Sequence, residues 1–346
     1  MSADVRATFA PTATQASLTG YYTIAGRLLR IDAQPGWAAQ WVADFLNGFL
    51  LARTAAPDNT GAAVTLKVLR AAAPPIPTGL QTFAINHGVC HTDGAAFFLD
   101  VDASLIVIAE PAARTVEVWF GETPHARHSV ALVNAFSYGL QAALRRAGVF
   151  DVHAGGVLDP VTGAGALLVG AAGSGKSTLT FKLAASGWRY LSDDMVVLLE
   201  TAAGVEVEGL RRLFAVSAAT LAGHTLPHLD EALGTPVASD PSKRKLQPDI
   251  VFPDARARRS RPRVLFFPQL TGDEETRINP ISARAAMQQL VRFCPWATYD
   301  AHVAPDYLRA LALLANQCRS YELLSGRDLL GDPARAAELL APYMKG

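Results

Sequence analysis

The feature that most constrains this chain is the segment GAAGSGKS at residues 170–177, which matches the pattern G-x-x-x-x-G-K-[ST] at every fixed position. Glycines at these positions let backbone N–H groups close around phosphate oxygens. The lysine of this pattern reaches the β- and γ-phosphates, and the final hydroxyl can ligate Mg²⁺. The candidate phosphate-binding residues are therefore Gly170, Gly173, Ser174, Gly175, Lys176, Ser177 and Thr178.

The segments on either side of this loop have the composition that the motif needs. Residues 166–169 are an apolar run that predicts a buried strand, and residues 178–186 have helical composition. A strand, a glycine loop and a helix together place a phosphate at the N-terminus of the helix, where N–H groups and the helix dipole favour negative charge. The alternative is a glycine-rich turn that binds nothing.

Composition bounds the remaining classes of protein. The 346 residues indicate about two domains, and Lys plus Arg equals Asp plus Glu at 31 each. Such a balance gives no argument for nucleic-acid or membrane partners. The three cysteines are widely spaced without a CxxC pair, which favours a reducing compartment. Residues 1–6 do not resemble a signal peptide and no apolar run reaches 18 residues, so we expect a cytoplasmic protein.

Residues 1–147 are predicted to form an α+β domain with an accessory or substrate-recognition role. Apolar periodicity indicates a strand, a helix, an antiparallel meander and a final helix before Gly148. The ranges are 22–31 (strand), 37–51 (helix), 95–100, 104–110 and 115–120 (meander) and 130–147 (helix).

Residues 148–346 are predicted to form an α/β catalytic domain. A hairpin precedes the glycine loop, and the helix after the loop ends at Gly187. Residues 233–261 are polar, basic and interrupted by prolines, which predicts a loop. The other ranges are 152–158, 165–169, 188–191, 195–200 and 263–268 (strands) and 282–293, 307–318 and 333–340 (helices).

Asp193 and Asp194 follow the strand after the loop helix, so we expect them beside Ser177. Phosphoryl transfer needs a carboxylate near Mg²⁺ and a group that accepts the proton of the acceptor. Two adjacent acids can divide these roles. The alternative is a solvated Asp-Asp turn. His153 lies on the strand before the loop strand, where a lone histidine is more often a core residue.

These residues together resemble the catalytic domain of the HPr kinase/phosphorylase family. The resemblance covers VHAGGVL (152–158), GALLVG (165–170), the glycine loop and ASGWRYLSDD (185–194). It implies a P-loop kinase core like that of phosphoenolpyruvate carboxykinase, with a mixed sheet and flanking helices. Residues 320–328 (SYELLSGRD) are similar to the closing segment of HPr-kinase-like proteins of peptide-modification gene clusters.

The resemblance implies roles for individual residues. Asp193 would activate the acceptor serine, Asp194 would lie near the metal and His153 would lie at the transfer site. Glu206 loosely matches a metal-linked glutamate of the family, and Glu208 is an equal candidate. Residues 211–214 (RRLF) depart from the family signature, which leaves open whether phosphorolysis occurs.

Two basic clusters lie in this loop region, the first at residues 243–245 (KRK) and the second at residues 256–263. In the first, Arg244 and Lys245 are candidate contacts of the γ-phosphate or of an acidic peptide. A solvated basic loop is the alternative for this cluster and for residues 256–263. His224 and His228 have helical metal-site spacing, but Pro227 between them breaks the helix, so no metal is assigned there.

The combined pattern predicts an ATP- and Mg²⁺-dependent kinase. The expected acceptor is a serine hydroxyl on a protein or, by resemblance, on a ribosomally made precursor peptide. The alternatives are a nucleotide-gated binding module without transfer activity and a small-molecule kinase. No nucleic-acid or membrane partner is expected, and the oligomeric state is left open.

Overall fold

The computed structural model describes residues 17–56, 63–102, 105–110, 112–122, 129–331 and 334–345. Two compact units share the chain. The first consists of Met1–Asn47 and Ala52–Ala147, and the second of Gly48–Leu51 and Gly148–Gly346. The residues that bear on a signal peptide, 1–6, lie outside the described part. No helix in the described part has the length and apolar character to cross a membrane.

The first unit is a large mixed sheet with helices. Its elements are β1 (Leu18–Ile24), β2 (Arg27–Ala33), α1 (Trp37–Leu46), β3 (Ala52–Thr54), β4 (Val64–Leu69), β5 (Gln81–Ile85), β6 (Gly88–Thr92), β7 (Phe97–Val101), β8 (Leu105–Glu110), β9 (Thr115–Trp119) and α2 (Val130–Arg146). Among the described residues, the strand order is β3-β1-β2-β4-β9-β8-β7-β6-β5. Strand β4 runs parallel to β2 and β9, and the other pairs are antiparallel.

The antiparallel meander and the helix before Gly148 are confirmed. Position 104, where the second predicted strand began, lies outside the described residues. The single strand predicted over 22–31 is wrong. Ala25 and Gly26 both adopt positive φ angles, 53° and 71°, and the chain reverses there into the β1–β2 hairpin. Helix α1 also ends earlier than predicted, at Leu46.

The described residues of the second unit form three sheets. Its elements are β10 (Phe150–Val152), β11 (Ala154–Leu158), β12 (Gly165–Val169), α3 (Lys176–Ala185), β13 (Arg189–Ser192), β14 (Val196–Thr201), β15 (Gly204–Gly209), β16 (Phe214–Ser217), α4 (Ala218–Leu221), α5 (Leu229–Ala232), β17 (Leu233–Val237), β18 (Asp240–Leu246), α6 (Pro248–Val251), β19 (Arg259–Ser260), β20 (Pro262–Leu270), β21 (Arg277–Ile281), α7 (Ala283–Phe293), α8 (Trp296–Tyr299), α9 (Ala304–Gln317), β22 (Arg319–Ser325), α10 (Arg327–Gly331) and α11 (Arg335–Leu340). A 3-10 turn follows at Ala341–Met344.

The three sheets have the strand orders β13-β11-β12-β20-β22-β21, β10-β14-β15-β19 and β16-β18-β17 in the described residues. Strand β20 runs parallel to both β12 and β22, whereas the β11–β12 and β21–β22 pairs are antiparallel. The unit is therefore an α/β fold with mixed sheets.

Strand β12 is buried on both faces, as its uninterrupted apolar sequence predicts. Leu167 and Val169 pack in a core with Leu311 and Leu314 of α9, while Leu168 packs in a second core with Leu179 of α3. Because side chains alternate across a strand, the sheet is fixed between helices on both sides. This packing holds the segment that follows β12 in place.

The loop predicted over residues 233–261 is wrong. It contains β17, β18, α6 and β19, and β17 pairs with β18 despite its proline. Pro236 lies on an edge strand where the register shifts, and a proline is tolerated there because its missing N–H costs no ladder bond. Exposed charges along β18 hid the period-two pattern from sequence analysis.

Candidate functional site

The chain changes from one sheet to another at two neighbouring points. His153 separates β10 in the four-stranded sheet from β11 in the six-stranded sheet, and Asp193 and Asp194 separate β13 from β14 in the reverse direction. Ala154 is paired with Val169, and Gly156 with Ser192. This register brings the histidine and the aspartates to the end of β12 where the glycine loop begins.

The glycine loop connects β12 to α3. Gly173 and Gly175 have φ angles of 81° and 97°, in the left-handed region that favours glycine. Gly175 directly precedes the first residue of α3, so the loop delivers its backbone to a helix N-terminus. A Cβ atom on Gly173 would meet no atom within 4 Å, so backbone conformation selects glycine here.

Lys176 is buried at the start of α3. Its Nζ donates hydrogen bonds to the carbonyl oxygens of Gly170 and Ala171, at 2.9 and 2.8 Å. Burial lowers the pKa of Lys176, and the charges of Asp194 and Asp193 oppose that change. The Ser174 hydroxyl is also buried and makes no hydrogen bond in the described part of the chain. An unsatisfied buried hydroxyl and an ammonium group are suited to an anion.

Asp193 is completely buried. Its Oδ2 accepts a hydrogen bond from the Ala215 N–H at 3.0 Å, while Oδ1 accepts none from the described residues. Burial and the charge of Asp194 raise the pKa of Asp193 to about 7, although the Ala215 N–H and the Ser177 hydroxyl partly offset the rise. Asp193 therefore binds a proton more tightly than an exposed aspartate does.

Asp194 is only half-buried and is held by His153. The His153 Nε2 lies 2.5 Å from Asp194 Oδ1. Burial acts to raise the pKa of Asp194, but His153, then Arg211 and Lys176, outweigh it, and the net direction is down. Asp194 thus stays ionised where Asp193 titrates. Two carboxyl groups whose pKa values are moved in opposite directions can serve different roles in one site.

Arg211 is a site residue that sequence analysis missed. Val196 pairs with Gly209, and the Leu210 N–H continues that ladder by donating to the Met195 oxygen at 2.9 Å. The next position places Arg211 opposite Asp194, and its charge acts on both aspartates. Burial lowers the pKa of Arg211. The doublet Arg211-Arg212 carried no local signal, because strand pairing alone brings it to the site.

The side chains of the first basic cluster lie on two opposite faces of strand β18. Ala215 pairs with Lys245 and Ser217 with Lys243, so these two lysines share one face. Burial and the charge of Arg211 lower the pKa of Lys245, and Lys243 in turn acts on Lys176. Lys243 also pairs with Asp240 at 3.2 Å. The face of β18 that bears the lysines is thus directed to the site.

Arg244 lies on the other face of β18. Its Nε and Nη2 donate to the carbonyl oxygens of Gly234 and Leu233 at 3.0 and 3.3 Å, so its guanidinium supports β17. Arg244 and Lys245, both candidate phosphate or substrate contacts, therefore lie on opposite faces of β18. Alternation along a strand separates the two side chains, which the loop interpretation could not anticipate.

Glu206 is not brought to the aspartates either. It is paired with Leu199, five positions beyond Asp194 along the chain, which corresponds to roughly 17 Å of strand. Glu206 and Glu208 both bind Arg259, at 3.2 and 2.5 Å. Thr178, predicted to contact phosphate, has its hydroxyl 2.9 Å from that of Thr220.

The oxygen atoms near the loop suit Mg²⁺, which prefers hydroxyl and carboxylate ligands and keeps several waters. They are the Ser177 hydroxyl, the unsatisfied Asp193 Oδ1 and the ionised Asp194. The described residues contain no cluster of three or more His, Cys, Asp or Glu side chains with metal-site geometry. A cation here would therefore need ligands from water and substrate as well as from the protein.

Comparison with known proteins adds little to this geometry. No family model matches the chain, and no curated protein sequence matches it. A solved structure with some likeness is that of the Hpr(Ser) kinase/phosphatase from Coxiella burnetii, which is 15% identical, covers 38% of this chain and 72% of its own, and has a TM-score of 0.23. A likeness of this size carries no argument about fold or function.

Proposed function

We propose that this chain is a kinase that transfers the γ-phosphoryl group of ATP, with Mg²⁺, to a serine hydroxyl of a protein or peptide. The observation that carries the proposal is the pair Asp193 and Asp194 beside the glycine loop, with pKa values moved in opposite directions. ATP and the serine acceptor come from the resemblance of the motifs. The geometry supports phosphoryl transfer more generally.

The glycine loop and Lys176 would hold the phosphates. The Nζ of Lys176 now bonds two loop carbonyl oxygens, and the same ammonium can exchange one of them for a phosphate oxygen. The N–H groups at the start of α3 favour negative charge at the same place. Arg211 adds positive charge beside the two carboxylates, and Lys245 adds positive charge near Arg211, which suits a polyphosphate ligand.

Ser177 and Asp194 would hold the metal ion. His153 fixes the Asp194 carboxylate by its hydrogen bond, so His153 acts through Asp194. When bound, Mg²⁺ would neutralise charge on the β- and γ-phosphate oxygens. Glu206 is not part of this proposal because its carboxylate is held by Arg259.

Asp193 would accept the proton of the acceptor serine at Oδ1. The serine oxygen bonds to the γ-phosphorus while the bond from that phosphorus to the β–γ bridging oxygen breaks, and ADP leaves. A base with a pKa near 7 is partly deprotonated at neutral pH and still binds the transferred proton well. The peptide-recognition role of the first unit stays a prediction.

The experiment is a transfer assay with γ-labelled ATP, Mg²⁺ and a panel of serine-containing proteins and peptides, with small hydroxyl metabolites alongside. We expect label on a peptide serine and a loss of about 10²–10⁴-fold in Asp193→Asn, the usual contribution of a general base. The exposed Arg212→Gln is the matched control. Full activity of Asp193→Asn would remove the assigned base, and tight ATP binding without transfer to any acceptor would favour a binding module.

A further inference from the structure

A short segment from the N-terminal half of the chain belongs to the second unit. The chain leaves the first unit after Asn47 and returns to it at Ala52, and Gly48–Leu51 lies within the second unit between these points. The Leu50 N–H donates to the Leu210 oxygen and the Arg212 N–H to the Gly48 oxygen, both at 2.9 Å. These bonds place Phe49 opposite Arg211 in an antiparallel bridge.

Phe49 covers the guanidinium of Arg211. The Arg211 Cζ lies 4.3 Å from the centroid of the Phe49 ring, and Phe49 is 3% exposed. Such a contact is a cation–π interaction, which is strongest where water is excluded. Stacking occupies the face of the guanidinium, whereas a guanidinium donates its hydrogen bonds within its own plane.

Arg211 lies beside the two aspartates of the candidate site. By strand register it lies opposite Asp194, whose carboxylate also interacts with Lys176 of the glycine loop. A planar guanidinium binds phosphate through two parallel hydrogen bonds. In this motif the loop lysine contacts the β- and γ-phosphates. Arg211 interacts with Asp194 as Lys176 does but lies outside the glycine loop, so it is suited to the terminal phosphate.

We propose that Arg211 binds the terminal phosphate of the nucleotide and that Phe49 is the positioning residue that holds its guanidinium there. This inference rests on the proposed function. It makes Gly48–Leu51 part of the phosphate site. The catalytic unit is then not contained within residues 148–346.

The experiment compares ATP with ADP in calorimetric titrations of the full chain at saturating Mg²⁺, without an acceptor. Arg211→Gln should weaken ATP binding roughly 10- to 150-fold, as expected for a lost charge-assisted hydrogen bond, and change ADP binding less than about threefold. Arg211→Lys should restore part of the ATP affinity. Phe49→Leu keeps an apolar side chain without an aromatic face and should weaken ATP binding by about three- to tenfold, again with little effect on ADP.

Arg212→Gln, on an exposed neighbour, should leave both affinities unchanged. Equal losses for ATP and ADP, or no loss, in Arg211→Gln would overturn the phosphate role. If Phe49→Leu binds ATP as tightly as the wild type does while Arg211→Gln binds it more weakly, the positioning role of Phe49 would be overturned. If Arg211→Gln does not fold, as judged by circular dichroism, Arg211→Lys and Phe49→Leu decide both points. A folded wild-type protein that binds neither nucleotide would refute the proposed function and this inference with it.

Discussion

The buried carboxyl of Asp193 should make the protein less stable as the pH rises. Its pKa is raised from 3.8 to about 7 in the folded state. The folded protein therefore binds this proton more tightly than the unfolded chain does. The stabilisation that the proton gives the folded state is complete below about pH 4 and is lost as the pH rises through about 7. At about 1.4 kcal/mol per pKa unit, the full loss has an upper limit of about 4 kcal/mol.

Asp193→Asn removes the charge and keeps the shape, because an amide oxygen can still accept the Ala215 N–H. The variant should be more stable than the wild type at pH 8 by about 2–4 kcal/mol and nearly equal to it at pH 4. Urea unfolding followed by circular dichroism at pH 4, 5, 6, 7 and 8 measures the difference. A difference that stays constant over this range would refute the argument from burial.

Asp194→Asn is the matched control, for which we expect a change in the free energy of unfolding of the opposite sign. The pKa of Asp194 is lowered on balance, because His153, Arg211 and Lys176 outweigh the effect of burial. Its stabilising effect is therefore present above about pH 4 and is lost at lower pH. Asp194→Asn should destabilise the protein at pH 7, so the two neighbouring substitutions should move the unfolding midpoint in opposite directions.

Other substitutions test single contacts. His153→Leu removes the ring nitrogen that bonds Asp194, and we expect a loss of about 10- to 100-fold in transfer rate in the same peptide assay. An unaltered rate would count against the positioning role. Gly155→Ala would put a Cβ atom 2.4 Å from the Thr180 hydroxyl and 3.3 Å from the backbone carbonyl oxygen of Asp193. We expect it to lower the free energy of unfolding in urea by about 1–3 kcal/mol. An unchanged unfolding midpoint would show that α3 can move away from β11. Lys245→Gln should weaken ATP binding more than Arg244→Gln in a fluorescent-nucleotide displacement assay, and the reverse order would contradict the strand register.

The local features of the second unit can be predicted from the sequence. The β11–β12 hairpin, the helix after the glycine loop and the strand after the aspartates depend on short-range patterns, and the structure has all three. A glycine motif also fixes its own conformation, since Gly173 and Gly175 need left-handed backbone angles.

Long-range pairing accounts for what sequence analysis missed. Arg211 reaches the site because β15 pairs with β14 and because residues 48–50 pair with residues 210–212. The separation of Lys245 from Arg244 follows from β18 being a strand, which its charges and its one proline concealed. No local pattern encodes these neighbours, so only the fold identifies them.

The most direct test of the account is a crystal structure of the protein with Mg²⁺ and a non-hydrolysable ATP analogue. The account predicts the triphosphate on the glycine loop, with Mg²⁺ about 2.1 Å from the Ser177 hydroxyl and bound to an aspartate of the pair directly or through one water. A triphosphate elsewhere on the chain, or a metal ion without contact to Ser177 and to either aspartate, would contradict it.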